Sequence, residues 1–271
     1  MTTQAASMVA SNAAVGLSSD RLIAAFCLPA AAMVSQRVPK KMLAENGAAS
    51  SADRKLLQDH IEEIMWVAAL KPANVGVAEF RGEQRAYLEL AVLCVTLRHS
   101  TSKSAKVTRM AELVHRAIPY PVVLVLDDGE RLYVSLVHIR WAQQEADRTV
   151  LDGELVQGIF ERTSSDDVSA FLSALDLSKQ PRSDILSLYQ GWMDTLSAWQ
   201  AAAVTGRFEA SATPQQAADR RAALRRCREL DAQIASLRSM ANKEKQMARQ
   251  VAANMEIGAL LAAREHAYKG V

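Results

Sequence analysis

Apolar positions crowd into one stretch of the chain. From Leu88 to Leu97 only Glu89 and Thr96 are polar, the pattern of a strand covered on both faces. Small polar residues follow at 99–103. Val107, Met110, Ala111, Val114 and Ile118 then recur at helical spacing, with Ser104 placed to cap the helix and Pro119 to stop it. A second apolar run spans Val122 to Leu126. After the turn signal Asp127-Asp128-Gly129-Glu130, Leu132, Val134 and Leu136 alternate with Tyr133, Ser135 and Val137. The pattern predicts strand, helix, strand, strand, ending in an antiparallel pair.

The flanks read as helices and connections. Ser19 caps a short helix from Arg21 to Cys27. Gln36 to Leu43 reads as a basic loop. Ser50 and Asp53 form a capping box for a helix through Leu57, Ile61, Ile64 and Ala68, ended by Lys71-Pro72. Val75, Val77 and Phe80 suit a short edge strand. Beyond Trp141 the chain is polar to Arg148 and mixed to Val156. A second capping box at Ser164–Asp167 opens a helix through Phe171 and Leu175. Leu186, Tyr189, Met193 and Leu196 then stripe another helix, which Gly206 stops.

The tail changes character. Between Ala217 and Tyr268 there is no proline, and Gly258 is the one glycine. Leu230, Ile234, Leu237, Ala241, Ala248, Val251 and Met255 follow three- and four-residue steps, so the tail is a long helix or helical hairpin. So narrow a seam needs a partner helix: a second copy, another helix of this chain, or another protein. Leu230, Ile234, Leu237, Val251 and Met255 are its contact candidates. The fold class is therefore α+β: a small mixed sheet with a strand-helix-strand-strand core, flanking helices and the long C-terminal helical region. The divisions are 1–48 (arm and short helix), 49–181 (α/β core), 182–210 (helix and linker) and 211–271 (coiled-coil-like region). Residues 1–17 are small and polar and are expected to be poorly ordered.

Composition adds limits. A net charge of +2 over 271 residues gives no global electrostatic case for nucleic acid. A local case rests on Lys40 and Lys41, and on Arg220, Arg221, Arg225 and Arg226 early in the tail; a solvated charged face explains the same residues. Cys27, Cys94 and Cys227 are too scattered for a disulfide framework or a thiolate zinc site, which suits a reducing compartment. No apolar run approaches the ~20 residues that span a bilayer. The N-terminus lacks the basic start of a signal peptide. A cytoplasmic protein with no membrane partner is expected.

Catalytic motifs are absent: no Walker A loop, GxGxxG, GxSxG or HExxH. Neither catalytic residue nor metal ligand nor cofactor is assigned. One acidic set, Glu89 with Asp127, Asp128 and Glu130, suits a metal-dependent nuclease, but the lysine such a site commonly places one residue beyond a strand acid is missing. A second cluster, His138, Arg140, Trp141 and Gln143 near Asp152 and Glu154, offers an aromatic and a cation that can stack on a base or hold a phosphate.

Gln36-Arg37-Val38-Pro39-Lys40-Lys41, Ile64 to Pro72, Ala117-Ile118-Pro119-Tyr120-Pro121, Arg140-Trp141, Leu151-Asp152-Gly153-Glu154, Leu188 to Trp192 and Lys243-Glu244-Lys245-Gln246 carry a resemblance. At these residues the chain resembles a bacterial domain-of-unknown-function family, DUF4391. The resemblance implies an accessory gene of anti-phage islands, beside restriction-type helicases and DNA methyltransferases. The implied role is a non-enzymatic subunit binding a helicase or methyltransferase, with DNA and self-association through the C-terminal helix as further contacts. A metal-dependent nuclease-like effector of the same system stands as the alternative.

Overall fold

The computed structural model describes residues 16–98, 104–142, 148–163 and 165–271. The expected poor order of the N-terminus falls on residues largely outside these. Leu17, the last of them, is buried, and its N–H donates to the Arg162 carbonyl at 2.8 Å. The chain forms two compact units, Met1–Leu196 and Ser197–Val271.

In the first unit, Ser18 rather than Ser19 caps α1 (Ser19–Ala24), accepting from the Arg21 N–H. The segment read as a basic loop is β1 (Met33–Arg37) running into α2 (Lys40–Asn46). At the end of α2 a Cβ on Gly47 would lie 2.3 Å from the Leu113 carbonyl oxygen, so only glycine allows this approach. Ser50 caps α3 (Ser51–His60), as the capping signal predicts. The predicted helix does not continue, however. Residues Ile61–Leu70 are β2, a strand of the main sheet.

The reason is visible in the register. β2 pairs with β5 (Leu90–Leu97) through shifts between Ile61 and Glu63 and between Trp66 and Ala68. Each bulge adds one residue, so Ile61 and Ile64 fall on one face three positions apart. A bulged strand thus reproduces helical spacing. Between these strands lie α4 (Pro72–Val75) and a two-stranded ribbon of β3 (Phe80–Arg81) and β4 (Ala86–Tyr87).

The central prediction holds. β5 is joined by α5 (Ser104–Ala117) to β6 (Val122–Asp127), which lies parallel to it. β6 turns at Gly129 (φ 86°) into the antiparallel β7 (Arg131–Trp141). β8 (Thr149–Glu161) completes a sheet of order β1-β2-β5-β6-β7-β8. As an outer strand it buries only Gly158 and Phe160 and leaves the rest half-buried or exposed, which is why its sequence reads as mixed. One face of the sheet, through Leu93, Val95, Leu97, Leu124 and Leu126, packs in a core with Val107, Met110 and Val114 of α5 and with residues of α2 and α3. Beyond the sheet, Ser165 caps α6 (Asp166–Ala174), and α7 (Ile185–Thr205) buries Tyr189 and Trp192.

The second unit is dominated by α8 (Pro214–Lys243) and α9 (Met247–Tyr268), a helical hairpin broken at 244–246. Arg220 reaches the Val271 carbonyl, Arg264 reaches Asp231 at 2.8 Å, and Gln250 reaches the Ala241 carbonyl, which sets the helices antiparallel. Among the described residues no helix is long and apolar enough to cross a membrane.

Candidate functional site

The acidic groups that the sequence offers for chemistry each have a definite surrounding. The acids of the β6–β7 hairpin build its turn. Asp127 Oδ1 accepts from the Gly129 N–H at 2.9 Å and from Arg162. Asp128 accepts from the N–H groups of Glu130 and Arg131 and from the Tyr133 hydroxyl. Glu89 pairs with Lys71 at 3.2 Å. Among the described residues no three His, Cys, Asp or Glu side chains are arranged to hold a metal ion. Desolvation, reinforced by the Asp176 carboxylate, pushes the exposed Cys27 thiol above its usual range, which disfavours a reactive thiolate.

The second cluster is more closely knit than the sequence suggests. The Tyr87 hydroxyl shares a hydrogen bond with His138 Nδ1 (2.7 Å), and His138 Nε2–H donates to Gln190 Oε1 (2.8 Å). Gln190 Nε2 in turn donates to Asp194 (2.7 Å). With its Nε2 committed to Asp194, the Gln190 amide presents its oxygen to His138, which places a proton on His138 Nε2. Tyr189 stands beside it, its ring 5.7 Å from the imidazole and 5.9 Å from that of Tyr87. The Tyr189 hydroxyl accepts from the Val137 N–H, at the register shift of β7, and faces the carbonyls of Val122 and Val137. The Tyr87 hydroxyl also accepts from the Ile139 N–H. Two tyrosines therefore satisfy the backbone of a bulged strand, and burial pushes Tyr87 up to about 12 and Tyr189 well above its usual value.

Arg85 and Arg140 both pair with Asp152, while Trp141 is exposed. Gln143 lies outside the described residues. Sequence reasoning singled out His138, Arg140 and Asp152 but missed Tyr87, Tyr189, Gln190 and Asp194. They lie some fifty positions from His138, and no local pattern links them.

The basic candidates do not form one surface within a unit: Lys40 and Lys41 belong to the first, the arginines to the second. Lys40 Nζ donates to the Ile61 carbonyl at 2.6 Å, and desolvation lowers its pKa. Lys41 pairs with Glu45 and Arg226 with Glu229. Arg220, expected to face a nucleic acid, is only 6% exposed. It binds the carbonyls of Glu209 and Val271 and the Ser211 hydroxyl. Arg221 is half-buried, with its pKa lowered by desolvation and then by Arg225, which is exposed.

The apolar candidates divide in the same way. Leu230 and Ile234 are buried and offer nothing to an outside partner, and Leu237 is half-buried. Val251 and Met255 are 52% and 74% exposed, with Met240 at 62% and Met247 at 78%. The sequence seam thus mixes two faces: the α8 part is buried, while much of the α9 part points to solvent. The two exposed methionines outside the seam, Met240 and Met247, flank the break between the helices and were missed because one seam was drawn through both.

The hairpin carries large apolar side chains in solvent, and the polar cluster of the sheet is tied internally. The family model for a domain of unknown function (DUF4391) matches residues 26–262, and the chain belongs to that family. No curated protein and no solved structure matches the chain.

Proposed function

We propose that this protein is a non-enzymatic accessory subunit of a bacterial anti-phage, restriction-like defence complex, held to a helicase or DNA methyltransferase partner in the cytoplasm. The observation that carries the reading is the outer face of the C-terminal hairpin, where Met240, Met247, Val251 and Met255 stand in solvent. Large apolar side chains grouped on a surface mark contact sites. Methionine suits such contacts because its flexible thioether adapts to the surface it meets. The setting comes from the family resemblance.

The test is affinity purification of the tagged full-length chain from its native bacterial host. Recovery of a helicase or methyltransferase at fixed stoichiometry is expected. Recovery of the chain without either enzyme would contradict the reading. Alanine at Glu89, Asp127 and Asp128 in one chain would separate the nuclease alternative: phage resistance lost while the purified variant stays folded would favour it.

A further inference from the structure

Charge is divided unevenly along the chain. The unit Ser197–Val271 holds twelve Lys and Arg against seven Asp and Glu. That is a net +5, and since the whole chain is +2, the larger unit is −3. Such an asymmetry points to a polyanion as ligand of the basic part.

The structure sorts the five arginines early in α8. Arg220 is buried on carbonyl oxygens, and Arg226 pairs with Glu229. Arg221, Arg225 and Arg228, in steps of four and three, share one stripe of the helix surface. Arg225 and Arg228 are exposed; Arg221 is half-buried, and Arg225 adds to desolvation in lowering its pKa. The stripe goes on through Ala232, Ser236 and Ser239, all exposed. These six residues, over about 27 Å, include neither an acid nor a large apolar side chain. Glu229 and Asp231, the nearest acids on the helix, lie beside the stripe and pair with Arg226 and Arg264. Arg221 and Arg228 interact within the chain as well, but a guanidinium has five N–H donors, and an internal partner need not use them all.

We infer that the Arg221–Arg225–Arg228 stripe of α8 binds the phosphate backbone of duplex DNA, without regard to base sequence. From Arg221 to Arg228 the helix rises about 10 Å, close to the rise of three nucleotides along one strand. Guanidinium forks match phosphate oxygens, and Ser236 and Ser239 add hydroxyl donors further along. An acidic protein face fits less well. Exposed ion pairs each contribute little, and the stripe has no apolar anchor to add to them. A polyanion instead releases condensed counterions at every contact. Single strands are bound largely by stacking on aromatic side chains, and the stripe has none.

Fluorescence anisotropy tests this with the purified full-length chain and a labelled mixed-sequence duplex of about 20 base pairs, over about 50–200 mM salt. The wild type is expected to bind, with log K falling against log salt at a slope of about −3, one unit for each arginine. Arg225→Gln should lower that slope by about one, and it carries the test at an exposed position that the fold does not need. Arg221→Gln/Arg225→Gln/Arg228→Gln should lose affinity on the order of 100-fold at about 0.1 M salt, with helix content by circular dichroism unchanged. Arg226→Gln, off the stripe, should bind as the wild type does. A wild type that does not bind the duplex, an unchanged slope in Arg225→Gln, an equal loss in Arg226→Gln, or tighter binding to anionic lipid vesicles than to the duplex would each overturn the inference. None of these results bears on whether a helicase or methyltransferase co-purifies.

Discussion

The two units treat their side chains in opposite ways. In the α/β unit, polar groups are drawn inward and satisfied: the Tyr189 hydroxyl serves a bulged strand, Asp128 closes a turn, and Asp53 holds Arg109 in a two-bond pair of 3.0 and 3.1 Å. In the helical unit, apolar groups are turned outward at Met247, Val251 and Met255. Buried polar groups need partners because an unsatisfied one costs about 1–3 kcal/mol, which fixes one arrangement. Outward methionines contribute little to their own fold and become useful when another surface covers them. The first unit fixes its polar groups by hydrogen bonds, and the second leaves large apolar groups in solvent.

Substitutions sharpen that contrast, and the largest losses fall in the α/β unit. Trp192 is fully buried, edge-on to Phe26, with its indole N–H on the Leu175 carbonyl. Trp192→Ala should cost about 3–5 kcal/mol in denaturant unfolding. Tyr189→Phe keeps the ring but removes the hydroxyl, leaving the Val137 N–H unmatched in the core. A loss of about 1–3 kcal/mol is expected in the same measurement.

His115 gives a pH signature. It is fully buried against the Ser135 hydroxyl, and desolvation pushes it down to about 3 from its ordinary 6.5. Between those values the unfolded chain takes up the proton and the folded chain does not. Stability therefore falls as pH drops through 6.5 and keeps falling towards 3, by about 1.4 kcal/mol per unit. Unfolding at a series of pH values should show this slope in the wild type and its reduction in His115→Gln; equal slopes would refute it. Smallest of all, Met255→Ala should shift unfolding by no more than about 0.5 kcal/mol, because the side chain is exposed.

How much of this was legible depends on whether the signal was local. The strand-helix-strand-strand core was readable because Val107, Met110 and Val114 keep one period and Gly129 marks one turn. β2 was misread because two bulges gave a strand the spacing of a helix. The Tyr87–His138–Gln190 chain was invisible because its members come from three elements, β4, β7 and α7, joined only by the fold. The tail was half legible: its period was correct, but a single seam through α8 and α9 merged a buried face with an exposed one. Arg220 looked like one more cation of a basic face because nothing local shows that its guanidinium is held by the Val271 carbonyl.

The central claim is that the outer face of the hairpin serves assembly and not the stability of its own unit. Met255→Glu in the full-length chain tests it most directly, with melting and affinity purification from the native host carried out on the same variant. The account predicts an unchanged melting temperature and loss of the partner that co-purifies with the wild type. A variant that melts lower without any change in association would contradict it.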